Sequence, residues 1–274
     1  MVIGELIRNV RYELEENAAF EATEMVLHVC GIDKNKLFLH LKDSVSPEQA
    51  ERVFSMVQHR KDGEPLQYIL GFAEFMSLRF AVSRETLIPR ADTETLVEYA
   101  LGKIGNHPIR LLDIGTGTGC IGISMAHYRP ETELTLLDVN PDTLRIAGEN
   151  ARDNQVQAEL VRMDIMQEIP NGHYDVVVSN PPYIRSDVIP TLQTEVRDHE
   201  PLRALDGGAD GLDFYRRIVE IAPKILNKNG RLIFEIGFDQ GEEVKALMSR
   251  SFSEIEVIRD LCGNNRVVSG SLKE

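Results

Sequence analysis

The residue types best suited to chemistry in this chain sit in two short stretches, Asp113 to Gly119 and Asn180-Pro181-Pro182-Tyr183. In the first, Gly115, Gly117 and Gly119 allow the backbone to turn tightly and approach a bound molecule, with Thr116 and Thr118 between them. Asp138 ends the next apolar run, nineteen residues after Gly119. A carboxylate there can accept both ribose hydroxyls of an adenosine. Gly117, Gly119 and Gly122 also satisfy GxGxxG, which leaves a dinucleotide formally open. Asp113 tips the balance, because a carboxylate two residues before the first glycine can meet the ammonium of a methionine moiety and would repel a pyrophosphate. The cofactor expected is therefore S-adenosyl-L-methionine, leaving as S-adenosyl-L-homocysteine. Asp164 is the expected neighbour of the adenine amine, and Ile165 an apolar lid on the ring.

In the second stretch, consecutive prolines fix φ and remove two backbone donors, so the turn offers carbonyl oxygens only. A planar –NH2 group, amide or exocyclic amine, is a poor nucleophile because its lone pair is delocalised. In an amide that conjugation gives a rotation barrier of roughly 18 to 20 kcal/mol. If the Asn180 side-chain oxygen and the Pro181 carbonyl accept its two hydrogens, the nitrogen can pyramidalise toward a sulfonium methyl while both acceptors stabilise the developing charge. Pro182 stiffens the turn and Tyr183 can stack on the planar group. No strong general base is required, since the proton becomes acidic only as the methyl arrives. A proline turn is also a common way to end a strand; its place after a nucleoside-type loop is what favours catalysis. Arg90 reads either as a clamp on the substrate backbone or as a surface residue. His127, His173 and His199 lack ligand spacing, and no metal is expected.

These residues need a scaffold that brings strand ends together. Ile3, Leu6, Ile7, Val10 and Leu14 recur at helical spacing, as do Ala50, Val53, Phe54 and Val57. Ser46, Pro47 and Gln49 form a helix-start signal, and Gly63 a stop. Near residue 75 the period changes: Met76, Leu78, Phe80 and Val82 alternate with polar or small residues, the pattern of a half-buried strand. Beyond residue 92, strands are predicted at 109–114, 133–138, 158–162, 174–179 and 231–236, separated mostly by amphipathic helices, one of them starting at Asn140-Pro141. That alternation predicts an α/β fold with a mainly parallel sheet covered on both faces. EIEVIRD and NRVVSG, with no clear helix between them, predict an antiparallel hairpin at one sheet edge. The expected division is a helical docking domain over 1–73, a linking β-hairpin over 74–90 and a catalytic domain over 91–274.

Composition narrows the function class. The 274 residues carry a formal net charge of −14, with 8 basic against 13 acidic residues over 1–75 and 22 against 31 over the rest. A protein that grips duplex nucleic acid by its phosphates needs the opposite sign, so no direct nucleic-acid binding is expected. Cys30, Cys120 and Cys262 are scattered without a CxxC pair, which fits a reducing cytoplasm. The first sixteen residues already hold six charges, and the longest charge-free run, Ile114 to Tyr128, contains four glycines. Neither a signal peptide nor a membrane span is expected.

Nearly the whole chain resembles the bacterial release factor glutamine methyltransferases, the PrmC/HemK family. The resemblance is carried by PLQYILGFAEFMSLRFAV (65–82), TLIPRADTETLVE (86–98), LLDIGTGTGCIGI, SNPPYI, EPLRALDGGADGLDFYR (200–216), FEIGFDQGEEV (234–244) and NNRVVSG, and is weak over the first 60 residues. It implies a class I S-adenosylmethionine-dependent methyltransferase, a Rossmann-like sheet of seven strands behind a small N-terminal helical domain with a linking β-hairpin. The implied reaction is methyl transfer to the N5 amide of the glutamine in the Gly-Gly-Gln motif of peptide chain release factors; a monomer is expected. Carried over, Gly115 to Gly119 and Asp138 hold the cofactor, Asp164 and Ile165 flank adenine, and Asn180 to Tyr183 hold the glutamine amide. The chain departs from the pattern at Ala91, where PRPxTE is common, and at Ile165, where members often carry an aromatic. A DNA-adenine amino methyltransferase would need the same acceptors but also base flipping and a basic surface. A silent cofactor-binding docking module is the third reading, against which Asn180, Tyr183 and Asp113 argue.

Overall fold

The Ser46 side chain accepts from the Gln49 amide at 3.1 Å while the Gln49 side chain accepts from the Ser46 amide at 2.9 Å, a capping box that starts a fifteen-residue helix in the computed structural model. The structure describes residues 1–14, 18–105 and 107–273. It divides into two units, Met1–Gly71 with Thr194–His199, and Phe72–Gln193 with Glu200–Glu274. In chain order the first stretch comprises α1 (Ile3–Leu14), α2 (Ala19–Cys30), α3 (Leu37–His40), α4 (Pro47–Lys61) and α5 (Leu66–Leu70). Then follow β1 (Phe72–Phe75), β2 (Leu78–Ala81), α6 (Ala91–Lys103), β3 (Ile109–Ile114), α7 (Cys120–Tyr128), β4 (Thr132–Asp138), α8 (Pro141–Asp153), β5 (Ala158–Arg162) and β6 (Tyr174–Ser179). The chain closes with α9 (Thr194–His199), α10 (Asp213–Ile225), β7 (Leu226–Glu235), α11 (Gly241–Met248), β8 (Phe252–Arg259) and β9 (Asn265–Leu272).

In the helical unit, Ile3, Leu6 and Val10 of α1 and Val53 and Val57 of α4 are buried, as their spacing requires. The centre is α2, whose Ala22, Met25, Val26 and Val29 repeat the same spacing and are buried. Arg60 of α4 fastens the unit: Nε and Nη2 reach Glu21 of α2 at 2.8 and 3.1 Å, and Nη2 reaches Glu195 of α9 at 2.6 Å. This pairing accounts for a departure from a simple cut of the chain, since α9 groups with the helices although its flanking segments belong to the other unit.

In the second unit, seven strands among the described residues form one sheet in the order β5-β4-β3-β6-β7-β9-β8. Strands β3 to β7 pair in parallel, and the β8–β9 hairpin adds antiparallel at one edge, with β9 inserted beside β7. The pleat sorts neighbours to opposite faces. Leu111, Val176, Val178 and Ile233 join one core with Leu96 and Val97 of α6 and Ile123 of α7; Leu112, Val177, Leu232 and Phe234 join the other with Tyr215 and Ile221 of α10. Burial on both faces explains why these strands read as unbroken apolar runs.

One predicted strand starts later than its alternation suggests. The alternation from Met76 to Val82 is split, because Met76 (φ +50°) and Ser77 (φ +59°) form a two-residue loop joining β1 to β2. Positive φ at both central positions is what the twist of a tight hairpin demands. Non-glycine residues hold it here because Glu94 Oε1 accepts from the Met76 amide at 2.7 Å and the Tyr128 hydroxyl donates to its carbonyl at 2.7 Å.

Candidate functional site

The chain runs outward from β3 through β4 to β5 and then returns to lay β6 on the other side of β3, so the connections reverse between β3 and β6. Ligands of open α/β sheets bind beyond the carboxyl ends of strands at such a reversal. Register brings the ends level: Ile114 pairs with Leu137 on one side and Ser179 on the other, and the Ser179 hydroxyl donates to the Ile114 carbonyl at 2.7 Å. A cavity of about 310 Å³ opens there.

Gly115, Thr116, Gly117, Thr118, Asp138, Asp164, Ile165, Asn180, Pro181, Pro182 and Arg90 all line this cavity. Gly115 and Gly117 have φ of +68° and +57°, and a Cβ on either would meet nothing within 4 Å among the described residues. The loop thus lays bare backbone along open space. Asp138 Oδ2 accepts from the Gly117 amide at 3.1 Å and Oδ1 from the Asn140 amide at 3.0 Å, which fixes the carboxylate at the cavity edge with lone pairs to spare. Burial pushes its carboxyl above the usual range, against the hydrogen bonds from Asn140 and Gly117. Asp164 is held by the Met166 amide at 3.0 Å and the Gln167 side chain at 2.7 Å, and Ile165 beside it is buried.

Three predicted site residues lie elsewhere. Asp113 is not on the wall; it is 1% exposed beneath the loop, where Oδ2 accepts from the Thr116 hydroxyl at 2.7 Å and the Gly122 amide at 3.1 Å. The reason is local: α7 begins after Gly119, which has no side chain to cap it, and the Asp113 carboxylate satisfies an orphan amide of its first turn. Burial raises this carboxyl to about 6 even so. Gly119 also stays off the wall; its φ of +82° starts the helix, and a Cβ would come within 2.5 Å of Ile123. Tyr183 packs against the core shared with Tyr215 and Phe234 instead of facing the cavity, and burial raises its phenol further above the ordinary value.

Apart from Arg90, the other wall residues carried no signal beyond apolar or charged type. The segment from Glu85 to Arg90 and Thr93 of α6 form one side, while Met163, Phe214 and Ile218 close another. Glu85 is a hub: Arg203 and Asn140 donate to its carboxylate at 2.6 and 2.9 Å, and Thr143 to its carbonyl at 2.8 Å. The Arg203 hydrogen bond, then that from Asn140, hold its carboxyl below the usual value. Arg90 pairs with the buried Glu200. Both cations on the wall are therefore matched. Cys120 also lines the cavity, with its thiol pushed up to about 12 by burial and hence inert.

The segment after Glu200 braces the tetrapeptide. The Ile184 amide donates to the Leu205 carbonyl at 2.9 Å and the Gly207 amide to the Ile184 carbonyl at 2.8 Å. A Cβ on Gly207 would stand 2.7 Å from both the Pro182 carbonyl oxygen and the Tyr183 Cα, so glycine is required for this approach. Gln240 Nε2 donates to the Tyr183 carbonyl at 3.1 Å from the far side.

The chain is similar to known methyltransferases. Residues 93–195 match the family description "Methyltransferase small domain" and residues 5–71 match "PrmC N-terminal domain". The chain is 39% identical over 258 residues to a release factor glutamine methyltransferase of Geobacter sulfurreducens, covering 94% of this chain and 90% of that one. It is 36% identical over 270 residues to one of Bacillus cereus, covering 95% of each. A methyltransferase from Pyrococcus furiosus shares the fold with a TM-score of 0.53 at 18% identity, over 83% of this chain and 99% of that one.

Proposed function

The chain belongs to the family of release factor glutamine methyltransferases, and from that premise we propose that it transfers a methyl group from S-adenosyl-L-methionine to the side-chain N5 of the glutamine in the Gly-Gly-Gln motif of peptide chain release factors. The observation that carries this reading is that Asn180 and Pro181 line the same cavity as the glycine loop and Asp138.

The wall fits an adenosyl group with a positive sulfonium. Gly115 and Gly117 supply a backbone cradle that a Cβ would fill, Asp138 suits ribose hydroxyls, and Asp164 with Ile165 suits an adenine edge and face. With Arg90 and Arg203 already paired, no described cation on the wall is left for a pyrophosphate. Bound there, the cofactor supplies an electrophilic methyl. Asn180 Oδ1 and the Pro181 carbonyl then accept the two amide hydrogens of the glutamine and favour the pyramidal, partly positive nitrogen of the transition state over the flat ground state. The proline pair holds these acceptors in place before the substrate arrives, so little reorganisation is required during the reaction. Asp113 acts one step removed, keeping the loop and the start of α7 in register. The helical unit is the docking element for the release factor in this reading, and the acidic surface attracts a basic partner loop. No helix among the described residues is long and apolar enough to cross a membrane.

The test is incorporation of labelled methyl from S-adenosyl-L-methionine into purified release factors, with mass spectrometry to locate it. Label on the glutamine nitrogen is expected. Label in DNA, or none in the release factors, would overturn the proposal.

A further inference from the structure

Behind the cavity wall lies a carboxyl that the reaction above leaves unused. Ser179 of β6 pairs with Phe234 of β7 in parallel register, so Asn180 and Glu235 are the next residues on adjacent strands. Glu235 is 2% exposed and its Oε2 has no hydrogen-bond partner among the described residues. It does not line the cavity, but its polar neighbours Thr93 and Asn180 both do. The rest of its surroundings come from every packed element: Asp92 of α6, Cys120 of α7, Tyr215 of α10, Arg266 of β9 and Tyr183 of the tetrapeptide. The Tyr215 hydroxyl donates to the Glu235 main-chain carbonyl at 2.9 Å, which pins the strand end.

A carboxylate only accepts hydrogen bonds, whereas a carboxamide presents an acceptor at one end and donors at the other in nearly the same shape. An asparagine with a buried carboxylate behind it therefore turns its –NH2 inward and its oxygen outward. An unmatched buried Oε2 makes that choice stronger, since leaving it without a donor costs free energy. We propose that Glu235 is a positioning residue, whose buried carboxylate claims the –NH2 end of Asn180 and so aims Oδ1 at the glutamine amide. This rests on the reading of Asn180 as an acceptor for that amide. It also entails a pH dependence. Burial pushes the Glu235 carboxyl up to about 7, opposed chiefly by Thr93. Once protonated it becomes a donor, draws the Asn180 oxygen to itself and turns the –NH2 toward the substrate, where it repels the amide hydrogens. Of the neighbours, Tyr183, Tyr215 and Cys120 are raised away from neutrality and Arg266 is held cationic, so none of these accounts for a transition near pH 7.

The experiment uses the full chain with a purified release factor, comparing wild type with Glu235→Leu and Glu235→Gln in single-turnover methylation from pH 5.5 to 9. In folded Glu235→Leu the rate should fall by up to about 10²-fold, the loss that misplacing a reacting group by a remote change can cause, with cofactor Kd by calorimetry within about twofold. Wild type should gain rate through a midpoint near pH 7 that both variants lack. Glu235→Gln, which can present either end to Asn180, should lose less than the leucine and decides the matter should the leucine variant not fold. A Glu235→Leu rate within about twofold of wild type, a midpoint near pH 7 retained in Glu235→Gln, a wild-type rate flat across this range, or cofactor affinity lost in step with rate would each overturn the proposal. Wild type that methylates no release factor would instead overturn the functional reading itself.

Discussion

Asn180 and Asp113 separate two ways a side chain serves this site. Asn180 stands on the wall and its acceptor matters only as the amide nitrogen gains charge. Asn180→Ala should leave cofactor affinity by calorimetry nearly unchanged and lower turnover by at least about 10²-fold, as for other transition-state hydrogen bonds. Asp113 is buried, and its folded carboxyl, raised to about 6, binds its proton more tightly than in the unfolded chain. Its contribution to stability is therefore full below about pH 3.8 and is lost as pH rises through 6. Relative to wild type, Asp113→Asn should gain unfolding free energy between pH 4 and pH 7.5 by on the order of 3 kcal/mol, measured by denaturant titration. If the stability of the variant minus that of wild type stays level or falls over this interval, the assignment is contradicted.

At the scale of elements, backbone approach decides which glycines matter. In Gly207→Ala the new Cβ meets backbone atoms of Pro182 and Tyr183 that cannot swing aside as a side-chain end can. Overpacking of this kind costs about 1 to 3 kcal/mol. The displaced tetrapeptide should lose more than about tenfold in turnover while circular dichroism stays native. The β1–β2 turn offers the opposite case. Ser77 is exposed with φ +59°, so Ser77→Gly relieves a left-handed residue. A gain of up to about 1 kcal/mol follows, seen as a rise of roughly 2 to 4 °C in Tm; unchanged or lower Tm would show that the Glu94 and Tyr128 grip already removes the strain.

At the scale of the whole molecule, recognition of a protein loop needs more surface than one cavity provides. In the helical unit Phe38 and Leu39 are 85% and 79% exposed on α3, adjacent apolar side chains of the kind that mark protein contacts. Phe38→Ser with Leu39→Ser should raise KM for the release factor at least about fivefold with kcat unchanged, a cost typical of a contact residue. With a formal net charge of −14, KM should also rise with ionic strength. Equal KM in both comparisons would move docking away from this unit.

The sequence by itself settled whatever depends on near neighbours along the chain. The Ser46–Gln49 box, the Asn140 cap, the carboxylate ending β4 and the acceptor-only proline turn are short-range chemistry, set by covalent spacing and by the few backbone conformations each residue type allows. Parallel strands were readable too, because burial on both faces leaves an apolar run. Which face each strand end shows was decided only by tertiary packing. Asp113 turned under α7 because Gly119 cannot cap that helix, Tyr183 packed against the core, and Met76 and Ser77 became a turn because Glu94 and Tyr128 reach Met76 from other elements. Glu235 meets Asn180 across 55 residues of chain through the β6–β7 register. Periodicity records that a position is buried, but the partner it meets there is fixed by how sheet and helices close on one another.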